Sequence, residues 1–114
     1  MDQDFSSRER RQYARKLLRT TAQLVDPVTG LIEARTTDIS SGGIGVILNT
    51  DPIQTSIFLL RVALSQSDRR QVLLQAQVRV VNSVFVASEG GFKVGLRFAK
   101  LAPQAALALS QFLA

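Results

Sequence analysis

Residues 71–80, QVLLQAQVRV, decide the fold class. Val72, Leu74, Ala76, Val78 and Val80 fall on one face of an extended chain, and Gln71, Gln75, Gln77 and Arg79 fall on the other. Successive side chains of a strand point to opposite faces, so this period marks a strand with one face in a core and one in water. The same pattern recurs on both sides of it. Upstream, residues 56–65 set Phe58, Leu60, Val62 and Leu64 against Ile57, Leu59, Arg61 and Ala63. Downstream, Phe92, Val94, Leu96 and Phe98 alternate with Lys93, Gly95 and Arg97. Three more strands are predicted over residues 17–25, 31–39 and 44–48. Turn chemistry separates them: Asp26-Pro27-Val28-Thr29-Gly30, Ser40-Ser41-Gly42-Gly43, Asn49-Thr50-Asp51-Pro52, Ser65-Gln66-Ser67-Asp68 and Glu89-Gly90-Gly91. Gly45, inside a predicted strand, marks a bulge or a close backbone approach.

The period changes at the C-terminus. Ala102, Ala105, Ala106, Leu109, Phe112 and Leu113 recur at three- and four-residue spacing around Pro103, which suits a first helical turn. This predicts an amphipathic helix over 102–113. Six short strands followed by one helix predict a mainly β chain, an antiparallel six-stranded barrel with a C-terminal α-helix. Closure of the barrel removes the exposed edges that such apolar strands would otherwise present. The phenylalanines are read as core.

Composition narrows the function. A chain of 114 residues suits one domain with a single core. It has no Cys, hence no disulfide and no thiolate nucleophile, and no His, the commonest general base and metal ligand. The nine carboxylates form no ligand-like cluster, so neither a metal site nor an enzymatic constellation is expected. The longest apolar run, Ala105 to Leu109, has five residues. A membrane-spanning helix needs about 18. Residues 1–7 contain no apolar stretch of the kind a secretory signal carries and are read as a flexible lead-in. A cytoplasmic location is expected.

The net charge of +5 is concentrated. Residues 8–19 hold Arg8, Arg10, Arg11, Arg15, Lys16 and Arg19 against Glu9 alone, so the rest of the chain sums to zero. Five of these six cations are Arg, whose planar fork matches a phosphate or the edge of a guanine better than the point charge of Lys does. The segment 8–16 therefore reads either as a binding strip for a phosphate-bearing partner or as a solvated basic linker.

Two short motifs bear on that choice. One is Arg11-Gln12-Tyr13-Ala14-Arg15, an R-x-x-x-R preceded by Arg10. The other is Asp38-Ile39-Ser40-Ser41-Gly42-Gly43, a D-x-S-x-x-G, and 22 residues, 16–37, lie between the two. In this pairing, and in the late Val94-Gly95-Leu96-Arg97-Phe98, the chain resembles the PilZ domain family, whose members bind the bacterial second messenger cyclic di-GMP. The resemblance covers residues 8–114: an Arg-rich ligand-binding segment 8–16, a β-barrel 17–100 and a terminal helix 102–113. It implies cyclic di-GMP as ligand, either one molecule or a stacked, mutually intercalated pair, with no metal. Arg10, one more planar cation beside the motif, favours the pair.

The chemistry of the motifs suits that ligand. Guanine offers O6 and N7 as paired acceptors, which a guanidinium can bridge, and Arg also stacks on purines and meets phosphates. The resemblance assigns Arg11 and Arg15 to guanine-edge and phosphate contacts and Arg10 to a further stacking or phosphate contact. Asp38, an acceptor when ionised, can take the N1–H and N2–H donors of guanine, with the Ser40 hydroxyl beside it on the same face. Gly42 and Gly43 would let backbone approach the ligand. Arg97 is a further candidate that also reads as a plain surface residue. Asp38 and Ser40 could equally form a turn whose side chains bond nearby backbone.

The resemblance implies a regulatory binding unit, not an enzyme. Ligand charge would draw the Arg segment onto the barrel and pass a conformational signal to an effector domain or partner. One such effector is the glycosyltransferase of a bacterial cellulose synthase catalytic subunit, which carries this kind of domain at the cytoplasmic face of the inner membrane. The alternative is a basic β-barrel binding single-stranded nucleic acid. Against it, Tyr13 is the sole aromatic within the basic stretch, so no nucleic-acid partner is expected.

Overall fold

A computed structural model describes residues 15–114 of the protein. The lead-in 1–7 and the basic residues up to Ala14, Arg10 and Arg11 among them, lie outside the described residues. The elements in order are β1 (Lys16–Leu17), β2 (Thr21–Asp26), β3 (Gly30–Ile39), β4 (Gly43–Leu48), β5 (Ile57–Ser65), β6 (Gln71–Val86), a 3-10 turn (Ala87–Glu89), β7 (Gly91–Lys100) and α1 (Pro103–Leu113). The six longer strands pair antiparallel in the order β3-β2-β5-β6-β7-β4, and β4 returns to β3 to close the barrel.

The alternation read from the sequence is the alternation of the wall. Phe58, Leu60, Val62 and Leu64 of β5, and Leu74, Ala76, Val78 and Val80 of β6, are buried, while Gln71, Gln75, Gln77 and Arg79 face solvent. Val94 and Leu96 of β7 join them inside, with Phe92 and Phe98 packed against the same core. The β2–β3 hairpin turns as its sequence requires: Asp26 Oδ1 accepts the Val28 N–H at 2.7 Å, and Gly30 takes φ 85°, a conformation that favours glycine. The helix lays Leu109 and Phe112 on the core and packs against β5 and β6. Ala108 is its third buried residue, whereas Ala106, predicted on the inner face, is exposed.

Three departures from the predicted strands have physical causes. The strand expected over 17–25 is broken, because three residues, Leu18 to Thr20, face only Thr36 and Thr37 on β3. The buried Thr36 hydroxyl stitches this gap by donating to the Leu18 carbonyl and accepting the Thr20 N–H at 2.9 Å. Second, β6 runs past its alternating stretch to Val86, as a ribbon with β7. Third, Phe85 on that ribbon is 59% exposed and meets Phe92 edge-on at 5.3 Å, so it lies outside the core in which the phenylalanines were placed.

Candidate functional site

Of the three irregularities in the ladder among the described residues, one leaves Ala99 of β7 unpaired and the other two shape the outer surface. On β3, Thr36 pairs with Val46 but Asp38 pairs with Gly45, so Thr37 is an extra residue. Strict alternation from Ala34 and Thr36 would send Asp38 into the core and Ile39 out. The bulge reverses that phase: Ile39 is 1% exposed, inside, and the Asp38 carboxylate stands on the outer face. On β6, Val80 pairs with Leu96 and Asn82 with Gly95, so Val81 is extra in the same way.

Between these bulges, across β4 and β7, lies an open groove of about 980 Å³. Arg15 and Asp38 stand on one side, and Val81, Val84 and Val86 on the opposite side. Ser40, Gly42 and Gly43 form one end, and Lys93 and Arg97 rise from β7. The groove thus combines an acidic group, three cations and an apolar flank.

The Arg15 guanidinium donates to Asp38 Oδ2 at 2.9 Å, and the Thr37 hydroxyl donates to Asp38 Oδ1 at 2.9 Å. The two sequence motifs therefore meet in space across 23 positions of chain. Arg15 is 62% exposed, so most of its donor face looks outward. Lys16, next in the chain, turns to the helix: its ammonium donates to the Phe112 carbonyl at 2.9 Å and stands 4.3 Å from the centre of the Phe112 ring. It binds the helix C-terminus, where carbonyls favour a cation, and is not in the groove.

Ser40 and the glycines have structural employment. The Ser40 N–H donates to the Gly43 carbonyl at 2.9 Å, and its hydroxyl accepts the Gly42 N–H at 3.2 Å. Asp38 faces the groove, whereas the Ser40 hydroxyl is committed to the turn. Gly43 is required by the sheet itself, since a Cβ there would strike the Leu96 carbonyl. Gly45 is a close approach, as its place inside a strand suggested: the Asp38 carboxylate lies where its Cβ would be. Arg97 is exposed on the outer face of β7, opposite Gly43, and lines the groove. Sequence reasoning passed over Lys93, Asn82 and the valine flank. Lys93 shares the parity of Arg97 and could have been read from the alternation, but Val81 and Asn82 follow a bulge that no periodicity announces.

The PilZ domain family matches residues 9–114. No curated protein sequence gives a significant match. Among solved structures, the inhibitor of motility MotI/DgrA of Bacillus subtilis superposes with a TM-score of 0.77 at 21% identity, over 90% of this chain and 48% of that one. YcgR of Escherichia coli in complex with c-di-GMP gives 0.71 at 18% identity, over 89% and 43%. The PilZ domain of the same YcgR with c-di-GMP gives 0.68 at 18% identity, over 91% and 88%. The chain thus spans about half the length of the first two. At these identities the structural likeness concerns the fold.

Proposed function

This chain belongs to the PilZ domain family, and from that premise we propose that it binds cyclic di-GMP in the groove beside Arg15 and Asp38 and acts as a regulatory unit without catalysis. The observation that carries this reading is the 2.9 Å ion pair between Arg15 and Asp38, which joins the two motifs at the groove. Two structures of similar fold, both of YcgR, are of c-di-GMP complexes. Asp38 would accept from the N1–H and N2–H of a guanine, and Arg15 would turn its remaining donors to the O6 and N7 edge or to a phosphate. Arg10 and Arg11, from the preceding segment, would add planes and charge, and Arg97 a cation beside Gly43. A wrong purine would leave these polar groups unpaired, which is the costly kind of mismatch.

Ligand stoichiometry follows from Arg10, which favours a stacked pair. The signal would pass from the Arg segment to an attached or partner effector. A glycosyltransferase making cellulose is one such effector, and the unit would then work on the cytoplasmic face of the inner membrane.

Titration calorimetry of the 114-residue chain with cyclic di-GMP is the test. Saturable binding, with two ligands per chain, is expected; failure of saturating ligand to raise the melting temperature would refute the reading. Retardation of single-stranded oligonucleotides with no response to the dinucleotide would favour the basic-barrel alternative. With no His or Cys in the chain, no side chain ordinarily titrates between about pH 6 and 8. Affinity should accordingly stay flat across that range, and a steep dependence there would place the site elsewhere.

A further inference from the structure

Gly45 of β4 and Gly95 of β7 are directly opposed in the sheet, and both face the groove. Neither glycine position is bare. The Asp38 carboxylate occupies the Cβ place of Gly45, and the Asn82 carboxamide occupies that of Gly95, its Oδ1 at 2.6 Å and Nδ2 at 3.0 Å from that point. Cβ positions of directly opposed residues lie about 4.5–5.5 Å apart. The two β bulges, one on each flanking strand, thus deliver a carboxylate and a carboxamide side by side onto the same patch of groove floor.

The orientation of that carboxamide is set by backbone. Asn82 Oδ1 accepts the Gly95 N–H at 3.0 Å. A backbone N–H can only donate, so it selects the oxygen and turns the NH₂ the other way. That NH₂ makes no hydrogen bond among the described residues. The floor therefore presents an acceptor, Asp38, beside a donor that cannot change places with its own oxygen without orphaning Gly95.

We propose that Asn82 is a specificity-determining residue of this groove, donating from Nδ2 to the 6-oxo group of the guanine whose N1–H and N2–H are taken by Asp38. The assignment rests on the cyclic di-GMP reading above and deepens it. The Watson–Crick edge of guanine runs donor, donor, acceptor, which meets carboxylate and amide in the right order. Adenine has an amino donor where guanine has O6 and an acceptor at N1, so it would set donor against donor at Asn82 and acceptor against acceptor at Asp38. O6 has two lone pairs, and the one on the N1 side is open to Asn82 while an arginine takes the N7 side.

The test compares wild type, Asn82→Asp and Asn82→Ala by calorimetry with cyclic di-GMP, cyclic di-AMP and a cyclic di-GMP analogue carrying 6-thioguanine, whose sulfur is a poor acceptor. Asn82→Asp keeps an oxygen for the Gly95 N–H and so keeps the fold, while it replaces the donor by a second carboxylate beside Asp38. It should weaken cyclic di-GMP more than tenfold with an unchanged melting temperature. Asn82→Ala should weaken it about three- to tenfold, the value of one hydrogen bond. The thio analogue should bind less tightly than cyclic di-GMP to wild type, and that penalty should shrink in Asn82→Ala, where only the arginine contact to the 6-position is left to weaken. Cyclic di-AMP should fail against wild type. If wild type binds cyclic di-GMP and both variants match it, or if the thio analogue is disfavoured as strongly by Asn82→Ala as by wild type, the assignment of Asn82 is overturned alone. If wild type takes up no cyclic di-GMP, the ligand reading falls and this assignment with it.

Discussion

β5 and the end of β3 are strands of the same barrel with opposite characters. Along β5, burial alternates without a break from Ile57 to Ser65, and every apolar inward residue can be named from the sequence. Along β3 the alternation holds through Ala34 and Thr36, then slips by one residue at Thr37 and puts Ile39 inside. The regular strand supplies core and carries none of the groove's polar groups. The irregular one turns a carboxylate outward beside Arg15. The same holds for β6, whose burial alternates up to Val80 where it is wall and which is bulged at Val81 where it lines the groove. In this barrel Asp38 and Asn82 reach the groove where period two fails, because a bulge lets consecutive residues escape the inside-outside alternation that core packing imposes, while Lys93 and Arg97 reach it by the regular alternation of β7.

The largest effect should come from testing the slipped phase directly. Leu60, fully buried on β5, and Ile39, buried only because of the bulge, should each cost about 2–5 kcal/mol on truncation to Ala. Denaturant unfolding of Leu60→Ala and Ile39→Ala measures both. If Ile39→Ala behaves as a surface change, below about 0.5 kcal/mol, the contrast between the strands is broken.

Arg15→Ala should show the reverse profile. Its ion pair with Asp38 joins an exposed cation to a mostly covered carboxylate and is worth about 0–1 kcal/mol to stability. Loss of charge-assisted bonds to the ligand, about 1.5–3 kcal/mol each, should lower cyclic di-GMP affinity at least tenfold. Calorimetry and thermal melting of the one variant separate the two effects.

Gly45→Ala sharpens the comparison further. The added methyl falls on the Asp38 carboxylate and the Thr37 hydroxyl, so these side chains must move while the ladder around them stays paired. A several-fold loss of affinity with a small loss of stability is the expected outcome, and a crystal structure of the variant should show the carboxylate displaced from Arg15.

The smallest effect belongs to the β2–β3 hairpin. The Val28 N–H bonded to Asp26 holds its carboxyl below the ordinary value of 3.8. A carboxyl whose pKa is lowered by folding stabilises the native state above the ordinary value, and that contribution disappears as pH falls through the folded value. Asp26→Ala should therefore melt slightly below wild type at pH 6, and the gap should narrow as the pH is taken below 3.8.

The sequence by itself determined the barrel and its terminal helix, since an apolar residue at every second position can be satisfied only by a shared interior, and Pro103 with its three- and four-residue spacing only by a helix on that interior. It also singled out Arg15 and Asp38 as chemical types. Tertiary structure alone decided that Asp38 faces outward, that the Ser40 hydroxyl and the absent Cβ of Gly43 serve the turn and the sheet, and that Asn82 shares the groove with them. Those outcomes depend on which residue of one strand opposes which residue of the next. Alternation along one strand cannot reveal that register, because a bulge costs a single unpaired residue and leaves no periodic trace.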